Sequence, residues 1–396
     1  MEKWKGLLGG AAVVASVALG SVAAQAAGAS SPAPTVTPVV TGLNNPRGVA
    51  VDAKGNLYVA EAGMYLGTGP GLQNGVTTGY VSKWVNPGTH GQQKAWSVSF
   101  DALYTNENGI PEVVGPSGVS SFGNGCMKNS PGERNGCALV TIIAESVRGF
   151  EADNPNVPAP PQLGHLYKLN PGNGSARDLS DVGDQLYAWG EDHSGLFEDL
   201  PDSNPYGVLV TKERRTGRPR IFVADAGANT ISEVEADGSN RVIAYVPNDG
   251  VRDSTPTCIA QGPDGALYVG TLNLFKNGFG QNPGQSDVWR IDPNTREDFI
   301  GAAHLWATGL TTVTACAFDE RGNFWATEMF QPNEAGPPGD VVRIRFDHPD
   351  NLHRFGGGAL PFPGGIAFGP EGGMYVSVNS LTFEPNSGAV VTVSLH

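Results

Sequence analysis

One short pattern recurs along this chain and limits what it can fold into. It runs Pro-x-Gly, a brief apolar run, a Gly turn, then an apolar-aromatic run. It is clear in Pro46-Arg47-Gly48-Val49-Ala50-Val51 followed by Gly55-Asn56-Leu57-Tyr58-Val59. It returns in Pro256-Thr257-Cys258-Ile259-Ala260 with Gly265-Ala266-Leu267-Tyr268-Val269, and in Thr314-Ala315-Cys316-Ala317-Phe318 with Gly322-Asn323-Phe324-Trp325. Another copy is Pro363-Gly364-Gly365-Ile366-Ala367-Phe368 with Gly373-Met374-Tyr375-Val376. Pro205-Tyr206-Gly207-Val208 with Ile221-Phe222-Val223, and Pro116-Ser117-Gly118-Val119 with Ala138 to Ile143, are looser copies.

A third apolar run follows each copy: Tyr80 to Val85, His165 to Leu169, Thr230 to Val234, Val288 to Ile291, Val341 to Phe346 and Ala389 to Leu395. A weaker fourth run follows in places, such as Val242 to Val246 and Leu305 to Gly309. Four short strands per unit and no sustained helical period predict an all-β fold, a single six-bladed β-propeller of four-stranded blades. Gly 55 and Pro 30 in 396 residues exclude a mostly helical chain. Two β-sandwiches would also satisfy the strand content, but the fixed order of runs favours the propeller. Thr35 to Leu43 precedes the first copy and reads as the outer strand that closes the last blade.

The N-terminus reads as an address. Lys3 and Lys5 form a basic segment, Leu7 to Gly20 is apolar, and Ala24-Gln25-Ala26 fits a signal-peptidase site. The run is short for a membrane-spanning anchor. Residues 1–26 are therefore expected to be a signal peptide, 27–38 a flexible lead-in and 39–396 the propeller, exported with no membrane span after cleavage. A net charge of −14 without basic clusters argues against nucleic acid as a partner. In an oxidising compartment, Cys126 and Cys137 are expected to close a disulfide within an insertion at 121–137. Cys258 and Cys316 stay open between buried thiols and a second bridge.

Loop lengths mark a functional face. Turns between first and second strands are tight, such as Asp52-Ala53-Lys54-Gly55 and Asp319-Glu320-Arg321-Gly322. Loops between second and third strands are mostly long: Ala62 to Gly79, Ser146 to Gly164, Leu272 to Asp287 and Met329 to Asp340. Binding residues usually sit on such elaborated loops.

The variable residue of each Pro-x-Gly should lie near the mouth of the central channel on that face. These residues are Arg47, Ser117, Tyr206, Thr257, Thr314 and Gly364. Hydroxyls and one cation suit an anionic or polar ligand better than a metal. A second ring of Glu61, Glu145, Asp225 and Glu328 falls at the ends of the second strands. Those carboxylates could hold calcium or act as general acid and base. Their once-per-blade recurrence favours a scaffold role, accepting loop N–H groups, because a site is normally asymmetric and a scaffold need is periodic. The stretch 170–205 is rich in Asp and Glu, and its Leu179, Val182, Leu186 and Trp189 predict a short amphipathic helix lying like a lid over the channel. No Gly-x-Ser-x-Gly occurs, and the histidines are scattered.

Leu43-Asn44-Asn45-Pro46-Arg47-Gly48, Asp202-Ser203-Asn204-Pro205-Tyr206-Gly207, Val223-Ala224-Asp225-Ala226-Gly227 and Gly262-Pro263-Asp264-Gly265-Ala266-Leu267-Tyr268-Val269-Gly270 resemble the ScyD/ScyE family. That family of exported β-propellers is named for the gene cluster of a cyanobacterial sunscreen pigment. The resemblance implies a fold and a compartment, with no settled reaction and no catalytic residue to transfer. Met64 to Thr78 and the cysteine insertion depart from the family pattern. The chain is also similar in outline to gluconolactonase-like (SMP-30) propellers, which hold a divalent metal at the channel mouth. At the matching positions this chain carries Arg47, Tyr206 and Thr257, which implies loss of that metal.

The expectation is a binding scaffold for a small molecule or protein, anchored by Arg47, Tyr206 and Thr257, with no cofactor. The alternative is an extracellular metal-assisted, lactonase-like hydrolase using Glu61, Asp225 and Glu328.

Overall fold

The computed structural model describes residues 34–64, 78–107, 110–122, 138–156, 158–197, 201–213, 218–248, 254–295, 298–333, 338–382 and 384–395. Within them the strands form six antiparallel sheets of four. The innermost strands are Pro46–Val51, Pro116–Phe122, Pro205–Lys212, Pro256–Gln261, Val313–Phe318 and Ile366–Phe368. Each touches the next and the last touches the first, which closes the ring. We number the blades 1 to 6 in that order. Thr35–Leu43 pairs with Gly388–Ser394, so the N-terminal strand completes blade 6. Closure of this kind leaves no free sheet end to fray.

The apolar runs are continuous rather than alternating because both faces of each blade are covered. The buried clusters follow the seams. Phe222 and Ala224 pack with Ile259, Leu267 and Val269 between blades 3 and 4, while the intervening Val223 packs with Val140 and Ile142 between blades 2 and 3. The aromatic of the second strand goes into the same seams. Tyr58, Tyr268 and Phe324 are at most 1 % exposed.

Each part of Pro-x-Gly has a physical reason. The innermost strand is an edge strand, so its first residue can lack an N–H. The glycine lies against the next blade's backbone. A Cβ on Gly118 would sit 2.8 Å from the Tyr206 carbonyl oxygen, and one on Gly207 would sit 2.8 Å from that of Thr257. Blade 4 carries Cys258 at the glycine position, and there the seam is covalent. Cys258 is bonded to Cys316 of blade 5, with the Cα atoms 5.6 Å apart. The Cys126–Cys137 pair and the segment 1–26 lie outside the described residues.

Several sequence expectations change. Thr35 to Pro38, within the expected lead-in at 27–38, is already strand. Within 170–205, Ala176–Asp181 is the fourth strand of blade 2, so Leu179 belongs to a sheet and not to a helix. Helix α1 is Val182–Asp192, started by Asp181, whose carboxylate accepts the Asp184 N–H at 3.0 Å. It packs on His165–Leu169 and Asn240–Tyr245, across the outer part of blades 2 and 3, and contributes nothing to the channel wall. A hairpin absent from the repeat, Leu103–Glu107 with Ile110–Val114, links blades 1 and 2. Among the described residues no helix is long and apolar enough to cross a membrane.

Candidate functional site

The channel enclosed by the innermost strands has a volume of about 80 Å³. Five of the six variable residues line it: Arg47, Ser117, Tyr206, Thr257 and Thr314. In blade 6 the wall is made by Gly365 rather than Gly364. The register explains the shared address of the two rings. Pro46 pairs with Glu61, Pro205 with Asp225 and Val313 with Glu328, so strand 1 starts where strand 2 ends.

The ring hydroxyls are occupied by a repeating task. Ser117 Oγ donates to the Tyr206 carbonyl at 3.0 Å, which joins blade 2 to blade 3. Thr257 Oγ1 donates to the Val313 carbonyl at 2.7 Å, joining blades 4 and 5. Thr314 Oγ1 donates to the Pro363 carbonyl at 2.8 Å, joining blades 5 and 6. Blade 6 has glycine in the ring, and Ser377 of its second strand donates to the Arg47 carbonyl at 3.1 Å instead. These bonds are buried stitches between neighbouring sheets. Two ring residues do not stitch: Arg47 and Tyr206.

Arg47 is 6 % exposed. Its Nη2 donates to the Val113 carbonyl at 2.8 Å and lies 3.2 Å from Glu112 Oε1, both on the blade 1–2 hairpin. Its guanidinium carbon stands 5.6 Å from the centre of the Tyr206 ring, within cation–π range. Among the described residues, Arg47 Nε and Nη1 and the Tyr206 hydroxyl make no hydrogen bond. Burial and the Arg47 charge pull the Tyr206 phenol in opposite directions, and burial holds it above its ordinary value. Glu112 and Tyr206 hold the Arg47 charge in place despite its burial.

The second ring is bonded into loops. Glu61 Oε2 accepts the Asn44 N–H at 2.9 Å. Asp225 accepts the Ser203 hydroxyl at 2.7 Å and the N–H groups of Asn204, Gly227 and Ala228 at 2.8 to 3.0 Å. Glu328 accepts the Thr311 N–H at 2.6 Å and pairs with Arg354 at 2.8 Å. Burial raises all three carboxyls, with Glu61 reaching about 6.

Glu145 is not their equivalent. Pro116 pairs with Ile143, so Glu145 lies two residues beyond the ring position, at φ 68°. Desolvation and the Asp202 charge hold its carboxyl well above the usual range. Among the described residues, no three His, Cys, Asp or Glu side chains converge as a metal site.

No family model matches the chain, and neither does any curated protein. Solved structures do match. A glucose dehydrogenase is 12 % identical, with a TM-score of 0.53 over 92 % of this chain and 100 % of that one. A gluconolactonase from Xanthomonas campestris is 13 % identical, at a TM-score of 0.46 over 92 % and 90 %. A calcium-binding regucalcin from Agrobacterium tumefaciens is 12 % identical, at 0.47 over 91 % and 93 %. At such identities the likeness is one of fold.

Proposed function

We propose that this chain is an exported binding propeller of the ScyD/ScyE kind that takes a small anionic ligand at the channel mouth. One observation carries the reading. Arg47 and Tyr206 are the ring residues left over once the hydroxyl stitches are assigned, and both line the channel. A buried guanidinium with free donors is suited to a carboxylate or another oxyanion, because charge-assisted hydrogen bonds strengthen where water is excluded. Glu112, with its side chain 46 % exposed, can swing aside as the anion takes its place. Thr257 and Ser117 support the wall rather than the ligand.

The test is titration calorimetry with short carboxylates and inorganic phosphate. Arg47→Met keeps the apolar stem over Tyr206 and removes the charge. It should abolish binding while the fold stays intact by circular dichroism, and Tyr206→Phe should weaken binding several-fold. Equal affinity in wild type and Arg47→Met would overturn the reading.

A second reading has its own observation. Glu145, with its raised carboxyl beside Asp202 and Asp225, has the character of a general acid. A lactonase-like hydrolase working through it would lose activity in Glu145→Gln and show a basic-limb pKa above the ordinary carboxylate range. No turnover of any lactone, in the presence of calcium or zinc, would dismiss it.

A further inference from the structure

The loop after the second strand of blade 4 is built around a buried asparagine. Asn277 is fully buried, and its Nδ2 donates to the carbonyls of Leu272 and Asn273 and to Ser286 Oγ at 2.9 to 3.2 Å. Its Oδ1 accepts the Gln285 N–H at 3.1 Å. That rigid frame presents two aromatic rings to solvent, Phe275 at 42 % and Phe279 at 36 % exposed. Burial explains neither of them.

The rings continue inward. Phe275 lies 5.8 Å from Phe279, Phe279 lies 6.4 Å from Phe330 of blade 5, and Phe330 lies 6.1 Å from Phe362. Phe330 is buried, and Phe362 stands two residues before the blade 6 ring position Gly364. The aromatic file therefore runs from the outer loop of blade 4 to the segment entering blade 6, where a Cβ on Gly364 would sit 3.0 Å from the Arg47 carbonyl oxygen.

Backbone conformation sets these phenylalanines apart. Elsewhere in the chain, left-handed positions without glycine are mostly Asn, which tolerates them. Phe279 at φ 55° and Phe362 at φ 41° are the aromatic exceptions among the described residues, and both are in the file. A bulky side chain in that region is strained, and such strain gathers at ligand sites. Charge is the third observation. In a chain with 39 Asp and Glu, residues 272–285 and 329–333 contain none, and they carry one cation, Lys276.

An apolar track without acids in its loops, ending two residues from a glycine that packs on the Arg47 backbone, fits a ligand with two parts. We propose that the face binds an anionic amphiphile: an oxyanion head at Arg47 and an apolar body along Phe362, Phe330, Phe279 and Phe275. This deepens the channel-mouth reading and rests on it. Four phenylalanines without a phenol or indole N–H among them favour an alkyl or aryl body over a polyhydroxylated one.

The probe is a series of straight-chain carboxylates from butanoate to dodecanoate, with decanol as the neutral counterpart, measured by calorimetry on the full propeller. Affinity should rise about fourfold per added methylene until the file is filled. Phe279→Gly and Phe275→Ala should flatten that dependence and leave butanoate binding unchanged. Phe279→Gly should also melt no lower than wild type, because glycine relieves the left-handed backbone. A ring held only for structure would melt lower.

Arg47→Met should remove the preference of decanoate over decanol. If short carboxylates bind through Arg47 with no gain from chain length, the amphiphile inference fails and the anchor reading stands. If no carboxylate binds, both fail. If the gain persists in the double variant of Phe275 and Phe279, the body lies elsewhere and the inference is overturned.

Discussion

Replacing Cys258 and Cys316 together with Ala tests how the propeller closes. The bridge joins innermost strands of neighbouring blades whose cysteines are 58 residues apart in sequence. Freeing a loop of that length in the unfolded chain lowers stability by about 4 kcal/mol on the chain-entropy account. Spread over the unfolding entropy of a propeller this size, that is a fall in melting temperature of about 5 °C. The seam has other supports that the change leaves intact. The Thr257 to Val313 bond remains, and so do the packed Tyr268 and Phe324. The variant should therefore fold, melt lower, and keep the four-stranded sheets. Chemical denaturation would be followed by tryptophan fluorescence, with Trp306 packed in the affected seam. An unchanged denaturation midpoint, with the bond confirmed intact in wild type by mass spectrometry, would refute the reasoning. It would mean that the unfolded chain already holds those blades together.

Three further outcomes follow from the same geometry. Glu61 is raised from 4.5 to about 6 by burial, so its folded form favours the proton, and the associated stability is complete below pH 4.5 and lost as pH rises through about 6. The gap corresponds to about 2 kcal/mol, and Glu61→Gln should remove that fall in a pH series of urea titrations. Thr257→Val and Thr314→Val should each lower stability by about 1–3 kcal/mol, because each leaves a buried carbonyl of the next blade without its donor; a neutral result in both would refute the stitch assignment. Arg47→Lys should retain the fold and bind short carboxylates more weakly than wild type, since an ammonium cannot reproduce the planar fork; equal affinity measured by calorimetry would refute the role of fork geometry.

The blades were legible because their constraint is local. An edge strand tolerates Pro at its start, close sheet contact requires Gly, and a tight turn is held by its Asp. In the first blade Asp52 accepts the Lys54 and Asn56 N–H groups at 2.9 and 3.0 Å and the Tyr58 hydroxyl at 3.0 Å. Asp319 does the same for Arg321, Asn323 and the Trp325 indole. The fourth strands Gln93–Phe100 and His348–Leu360 were not legible. They lie at the outer edge, half exposed, where composition is free to be polar. Leu179 misled for the same reason, since one apolar residue in an outer strand followed by a true helix mimics a longer helical period.

The site was legible as a set of positions and not as roles. Pro-x-Gly names Arg47, Ser117, Tyr206, Thr257 and Thr314, and a linear reading treats them alike. What separates them is the acceptor, which is a backbone carbonyl on the next blade and has no side-chain signature. The same blindness applied to Glu112, because its hairpin belongs to no repeat. A scaffold need recurs with the blade, whereas a ligand has no six-fold symmetry to match. The residues that break the repeat are thus the informative ones. Arg47 and Tyr206 interrupt the ring of hydroxyls, Cys258 interrupts the glycines, and Phe279 and Phe362 interrupt the asparagines at left-handed positions. The cysteine is explained by a bond within the chain. The proposed anionic amphiphile would account for the other four, Arg47 with Tyr206 at the channel and Phe279 with Phe362 in the aromatic file.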